Sequence, residues 1–277
     1  MTRETTSFER TAERRRWTGF ALLAGAALSV LLALFYAHNP VSTKAAGYAS
    51  TVSAASAGTY VTLRTLNAVL STAQEVEMGV GLGVSGSAQP LKMLEPIDDT
   101  IERIADAVFA LMVFSGVLAV AMGPVGAVGF AMMAGAFLLW WLAPGQVLGR
   151  RLASYGVFLA LALPLSFLLS SSVADHMTRE VWEENEAVIA RITSSIDTPD
   201  SGAEAGWFDR MRSGLTEMES YRTLAGTIFD QADELVASYV AILAVYVFRI
   251  FLLPALLAGG FFVAARWLAE SGRGLQR

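Results

Sequence analysis

Between Asp106 and Arg150 the chain carries no charged residue. The apolar part of that interval, Ala107 to Ala143, would make a helix of ~55 Å, against a bilayer hydrocarbon core of ~30 Å. A tract of this kind commits the chain to a membrane and poses a topological choice. In its middle lies "AMGPVGAVGFAMM", residues 121 to 133. Gly123 and Pro124 could form a turn between two membrane helices, or a break inside one membrane-penetrating element. The choice reverses the orientation of everything that follows.

Three further tracts are long and apolar enough to cross: Trp17 to Ala37, Leu152 to Ser172, and Val236 to Leu268. With 54 % of its 277 residues hydrophobic and 16 % charged, the chain reads as a polytopic membrane protein. The first tract follows "ERRRW" but exceeds the ~7–15 residues of a signal-peptide core and lacks a small-x-small cleavage pattern, so a retained span is expected. There is no cysteine, which excludes disulfides, thiolate metal sites and cysteine nucleophiles.

Charge distribution selects a topology. A hairpin at Gly123 and Pro124 gives five spans and puts Arg150, Arg151 and the basic tail (Arg266, Arg273, Arg277) outside, against the positive-inside tendency. If 107–122 does not cross fully, every basic cluster lies on one side. Trp17, Trp140, Trp141, Tyr155 and Trp267 then fall at the inner interface, and Tyr36, Tyr239 and Tyr246 near or above the outer one, as amphipathic rings prefer. The expectation is therefore an all-α integral membrane protein with four full spans plus a broken or re-entrant apolar helix, and with long helices forming an exterior bundle. Segment by segment this gives a cytoplasmic tail (1–16), a span (17–37), an exterior helical loop (38–106), the broken element (107–143), a cytoplasmic loop (144–151) and a second span (152–174). An exterior acidic loop (175–235), a long helix ending in the last span (236–268) and a cytoplasmic tail (269–277) complete it. Pro124 lacks an amide proton, and Gly123, Gly126 and Gly129 lower the cost of irregular backbone, which places the expected break there.

The exterior segments carry helical stripes. Phe208, Met211, Leu215, Met218, Arg222 and Phe229 begin a heptad-like seam that continues through Ala232, Val236, Tyr239, Leu243, Tyr246 and Ile250. Arg222 reads as a register-setting residue. Met177, Val181, Val188, Ile192 and Ile196 form a second stripe, and Leu63, Leu66, Leu70, Ala73 and Val76 a third. Pro96 opens a fourth helix, with Glu95, Asp98 and Asp99 complementing its dipole and Ile97, Ile101, Ile104 and Val108 carrying the stripe towards the membrane. Residues 79–90 and 197–206 are connectors rich in Gly and Ser. The 175–234 loop holds fourteen Asp or Glu against five Arg.

Little in this pattern points to chemistry. His176 and Glu180 share one helical turn, but two ligands do not make a zinc site, and no His-Glu-x-x-His helix exists. His38 and His176 are candidates for a pH-responsive contact just outside the membrane. "GVGLGVSG" imitates a phosphate loop but has no lysine and no preceding strand. Arg249 is the one charge between Val236 and Ala265; near a span end it can extend its head into water. No cofactor and no nucleic-acid contact is expected. The reading is a non-enzymatic assembly or scaffold component of the plasma membrane (the inner membrane in a two-membrane bacterium), in contact with lipid, homo-oligomeric through the outer seam and open to an exterior protein partner. Its termini are cytoplasmic. The alternative is a channel or transport component whose acidic outer mouth attracts cations.

Overall fold

In the computed structural model every element among the described residues is a helix. The structure describes residues 2–81, 95–193 and 230–274, and side chains within 16–71, 95–192 and 230–264. In order these are α1 (Thr2–Leu34), a 3₁₀ turn (Tyr36–His38), α2 (Pro40–Gly81), α3 (Glu95–Leu142), α4 (Val147–Val157), a π turn (Phe158–Ala162), α5 (Leu163–Thr193), α6 (Ala232–Val247), a second π turn (Phe248–Leu252) and α7 (Leu253–Gly274). Among the described residues four stretches are long and apolar enough to cross a membrane: Arg16–Leu34, Glu95–Leu142, Val147–Ile192 and Ala232–Ala264.

Local sequence explains the boundaries. Asn39 lies in extended backbone and its side-chain oxygen accepts the Val41 N–H at 3.0 Å, capping α2, whose first residue is Pro40. Pro96 and the acidic Glu95 and Asp98 open α3 as expected. Gly145, at φ +94°, supplies the left-handed residue that lets the chain leave α3 and start α4.

The expected break at Gly123 and Pro124 is absent. α3 is one 48-residue helix with Pro124 inside it. Pro124 lies on its exposed face, and the carbonyl its ring displaces belongs to Val120, itself 78 % exposed. The ring therefore projects away from the packed side, and the helix continues at the cost of one hydrogen bond.

The chain divides into two compact units, the first comprising Met1–Thr51, Ser115–Val173 and Arg249–Arg277, the second Val52–Phe114 and Ala174–Phe248. In the first unit α1 lies along α3, with Gly19 against Trp141 and Gly25 against Phe137, and the α1–α2 junction reaches α3 farther up, with Tyr36 at Gly123 and Ser42 at Gly126. Its buried residues are mostly small: Ala26, Ser29, Ala45, Ala49, Ala134, Ala136 and Ala160.

In the second unit α2 packs on α3 through Tyr60 and Phe109, whose rings lie 5.3 Å apart, and through the Ser53 hydroxyl donating to the Met112 carbonyl at 2.9 Å. Arg64 pairs with Glu102 at 3.6 Å and Asp106 at 3.3 Å. α6 meets α2 where Thr59 and Tyr246 share a 2.8 Å hydrogen bond, and meets α5 through Trp182 against Tyr246 and Arg191 against Glu234. The core is built of large side chains, Leu63, Leu66, Leu70, Ile101, Ile192, Leu235 and Tyr239 among them.

The stripes need adjustment by one position in places. Leu63, Leu66 and Leu70 are buried as expected, and so are Ile101, Ile104 and Val108. On α5, however, Met177 and Val181 are exposed, and the buried face runs through Ala174, Thr178, Ile189 and Ile192. Thr178 can lie inside because its hydroxyl donates to the Ala174 carbonyl of its own helix. On α6 the seam takes Ala232, Leu235, Tyr239, Ile242 and Tyr246, leaving Val236 and Leu243 half-buried. Tyr239 sits one heptad from Tyr246, and Leu66 one heptad from Thr59. Where Tyr246 finds a threonine hydroxyl the corresponding α2 position offers Leu66, and the buried Tyr239 hydroxyl has no partner among the described residues.

Candidate functional site

The residues singled out around "AMGPVGAVGFAMM" are brought together with two others that the sequence did not flag. Gly129 faces α4 and the π turn that follows it. A Cβ there would collide with the Ala160 backbone nitrogen and lie 2.9 Å from the Ala160 Cα and the Gly156 carbonyl oxygen. From the other side, a Cβ on Gly156 would lie 2.8 Å from the Gly129 carbonyl oxygen. α3 and α4 are thus in backbone contact at Gly129 and Gly156-x-x-x-Ala160, a small-residue crossing of the kind that holds helices together where no hydrophobic effect is available. Gly123 and Gly126 are likewise seats for neighbours, Tyr36 and the Ser42 hydroxyl. The three glycines shape helix contacts rather than an interruption.

Ala160 lies in the first π turn. Two such turns occur among the described residues, Phe158–Ala162 and Phe248–Leu252, and each is followed by Leu-Pro: Leu163–Pro164 and Leu253–Pro254. A proline inside a helix lacks an N–H and its ring crowds the carbonyl four residues earlier. Widening the preceding turn by one residue relieves that crowding, which is a common origin of π turns. In the first turn the Leu163 N–H reaches back five residues to the Phe158 carbonyl. In the second, the next carbonyl in the five-residue series is that of Arg249, and the residue opposite it is Pro254, which has no N–H to give. The Tyr48 hydroxyl, from α2, donates to that carbonyl at 3.1 Å. Arg249, noted from the sequence for its charge, is therefore also the point where a foreign side chain enters the helix backbone.

The histidines lie apart from these features. His38 is exposed at the end of the 3₁₀ turn with its ring 6.4 Å from that of Phe35. His176 is exposed on α5, as is Glu180. Among the described residues no group of three or more His, Asp and Glu could hold a metal ion. The seam residues Phe208, Met211, Leu215, Met218, Arg222 and Phe229 lie outside the described residues, as does the 197–206 connector.

Sequence reasoning missed the paired π turns, although a signal for them exists: each reads Phe, four residues that are apolar except for Arg249, then Leu-Pro. A proline deep in an apolar helical tract is a mark of irregular backbone just before it. What no local pattern could show is that Tyr48, two hundred residues away, completes one of them.

Comparison with protein families, with curated proteins and with solved structures finds no match for this chain.

Proposed function

We propose that the protein is a four-span plasma-membrane component, non-enzymatic, that assembles with further copies of itself or an exterior partner through a helical bundle outside the bilayer. The observation that carries this reading is a match of lengths in the first unit. Gly123, beside Tyr36, and Trp141, beside Gly19, are eighteen residues apart on α3, or ~27 Å of helix, close to the ~30 Å hydrocarbon thickness. Trp140 and Trp141 at one end and Tyr36 at the other suit the two headgroup levels. α3 is then a single span over its residues 123–142, and its residues 95–122 stand outside. A single crossing by α3 keeps the count at four, with both termini and Arg150 and Arg151 cytoplasmic.

Ion pairs of Arg64 with Glu102 and Asp106, Arg179 with Glu183, and Arg191 with Glu234 lie in the second unit, which supports its placement in water. Single-cysteine labelling tests the topology against a background without native cysteine. Glu183→Cys reacts with an impermeant maleimide on intact cells, and Arg150→Cys only after permeabilisation; the opposite pattern overturns the reading. For assembly, mass measurement in mild detergent gives an oligomer for the native chain. A monomer that retains no partner would end the scaffold proposal.

A further inference from the structure

We infer that the end of the first unit where α1, α3 and α4 converge binds the headgroup of an anionic phospholipid, with Arg150 and Arg151 taking its phosphate. The inference needs the first unit to lie in a bilayer. It does not depend on which way that unit faces or on what the protein assembles with.

Two neighbouring tryptophans fix the place. A Cβ added at Gly149 of α4 would lie 2.7 Å from the Trp140 indole nitrogen, and one added at Gly19 of α1 would lie 3.7 Å from that of Trp141. The end of α3 therefore meets α4 on one side and α1 on the other. Arg150 and Arg151 follow Gly149 directly and are exposed, and Arg16, also exposed, precedes Gly19 by one turn. Basic side chains thus flank both indoles.

The charge there has no internal answer. The described side chains of the first unit include Arg16, Lys44, Arg150, Arg151 and Arg249 but no Asp or Glu. Neither Arg150 nor Arg151 pairs with an acid among the described residues. α4 has no acidic residue in its first turn, so its backbone dipole adds to the positive potential of the two arginines instead of offsetting it. At a membrane surface the counter-charge within reach is lipid phosphate, whose oxygens suit the forked donors of a guanidinium. The apolar surroundings select a lipid over a free phosphate. Val147 and Leu148, 64 % and 55 % exposed, stand beside the arginines, and Trp141 and Tyr155 are exposed on the neighbouring turns of α3 and α4. Rings of this kind settle at the headgroup level, and the aliphatic pair offers a surface to the first methylenes of an acyl chain. Inorganic phosphate gains nothing from either.

The test measures retention of radiolabelled phosphatidylglycerol by the full chain in mild detergent, against phosphatidylcholine with the same acyl chains. The native chain prefers phosphatidylglycerol more than about tenfold, and an excess of inorganic phosphate at matched ionic strength does not displace it. Arg150→Gln and Arg151→Gln each lower the preference about fivefold, the ratio that corresponds to ~1 kcal/mol for one basic residue at an anionic membrane surface. Lys44→Gln, at the exposed lysine near Gly126, leaves it unchanged. Equal retention of the two lipids by the native chain overturns the site, as does a preference that survives both arginine variants or falls as far in Lys44→Gln. Displacement by inorganic phosphate shows an anion site without a lipid and overturns it too. Should the arginine variants fail to insert, the native chain and Lys44→Gln decide: a phosphatidylglycerol preference common to both and resistant to phosphate supports the site, and any other result refutes it.

Discussion

The two units solve the same packing problem with opposite materials. Of the ten largest fully buried side chains among the described residues, Met122 and Ile250 alone belong to the first unit; the rest, chiefly Leu, Ile and Tyr, are in the second. The first unit instead buries mostly Ala, Ser and Gly and turns Phe20, Leu31, Leu256, Phe262 and Val263 outward. In water, burying a large apolar side chain is itself the driving force, at ~25 cal/mol per Å². Against lipid that gain vanishes, and close backbone approach between small residues takes its place. Large-inside with charged-outside, and small-inside with apolar-outside, are what the proposed topology, with one unit in water and the other in lipid, asks of the same helices, since α2, α3 and α5 each contribute to both units.

Substitutions can break or sharpen this contrast. Leu66→Ala, at a fully buried position of the second unit, should cost ~3 kcal/mol by transfer and cavity terms together, seen as a lowered midpoint of thermal unfolding in detergent. Gly129→Ala in the first unit should cost ~2 kcal/mol although it adds apolar volume, because the new methyl meets backbone that cannot rotate away. If Gly129→Ala were neutral, the small-residue crossing would not be what holds α3 to α4. Tyr239→Phe should raise stability by ~1 kcal/mol, since it deletes a buried hydroxyl that has no partner among the described residues; the same change at Tyr246 should lower it. Gly259→Ala should be mildly stabilising, by ~0.5 kcal/mol of helix propensity, because open space surrounds it. Arg191→Ala should change the midpoint least, by under ~1 kcal/mol, and less still in high salt, as expected of an ion pair whose side chains are both exposed.

The sequence spoke clearly where solvent chose the residue and less clearly where neighbours did. Apolar tracts marked the candidate spans, and Leu63, Leu66, Leu70, Ile101 and Ile104 marked the core of the second unit, because large aliphatic residues in heptad spacing have one use in water. Thr178 displaced Met177 from the buried face for a reason that hydrophobicity does not register, a hydroxyl satisfied by its own helix. Gly123 and Pro124 misled more seriously. Both weaken a helix on their own, but here the glycine seats Tyr36 and the proline faces outward, so the expected break became a continuous rod. The bond from Tyr48 to Arg249 depends on two helices far apart in the chain and left no trace in either.

Pro124 also acts as a waterline. By withholding its amide it leaves the Val120 carbonyl without its helical partner, on a face that is exposed among the described residues. Such a carbonyl in hydrocarbon would cost several kcal/mol, whereas among headgroups water satisfies it. In the proposed topology the helix is thereby discouraged from sinking until that carbonyl is submerged, although the apolar residues before it, from Val108 to Ala119, offer no resistance of their own. A long greasy rod that could slide through a membrane at many depths is given a preferred draught by one missing hydrogen.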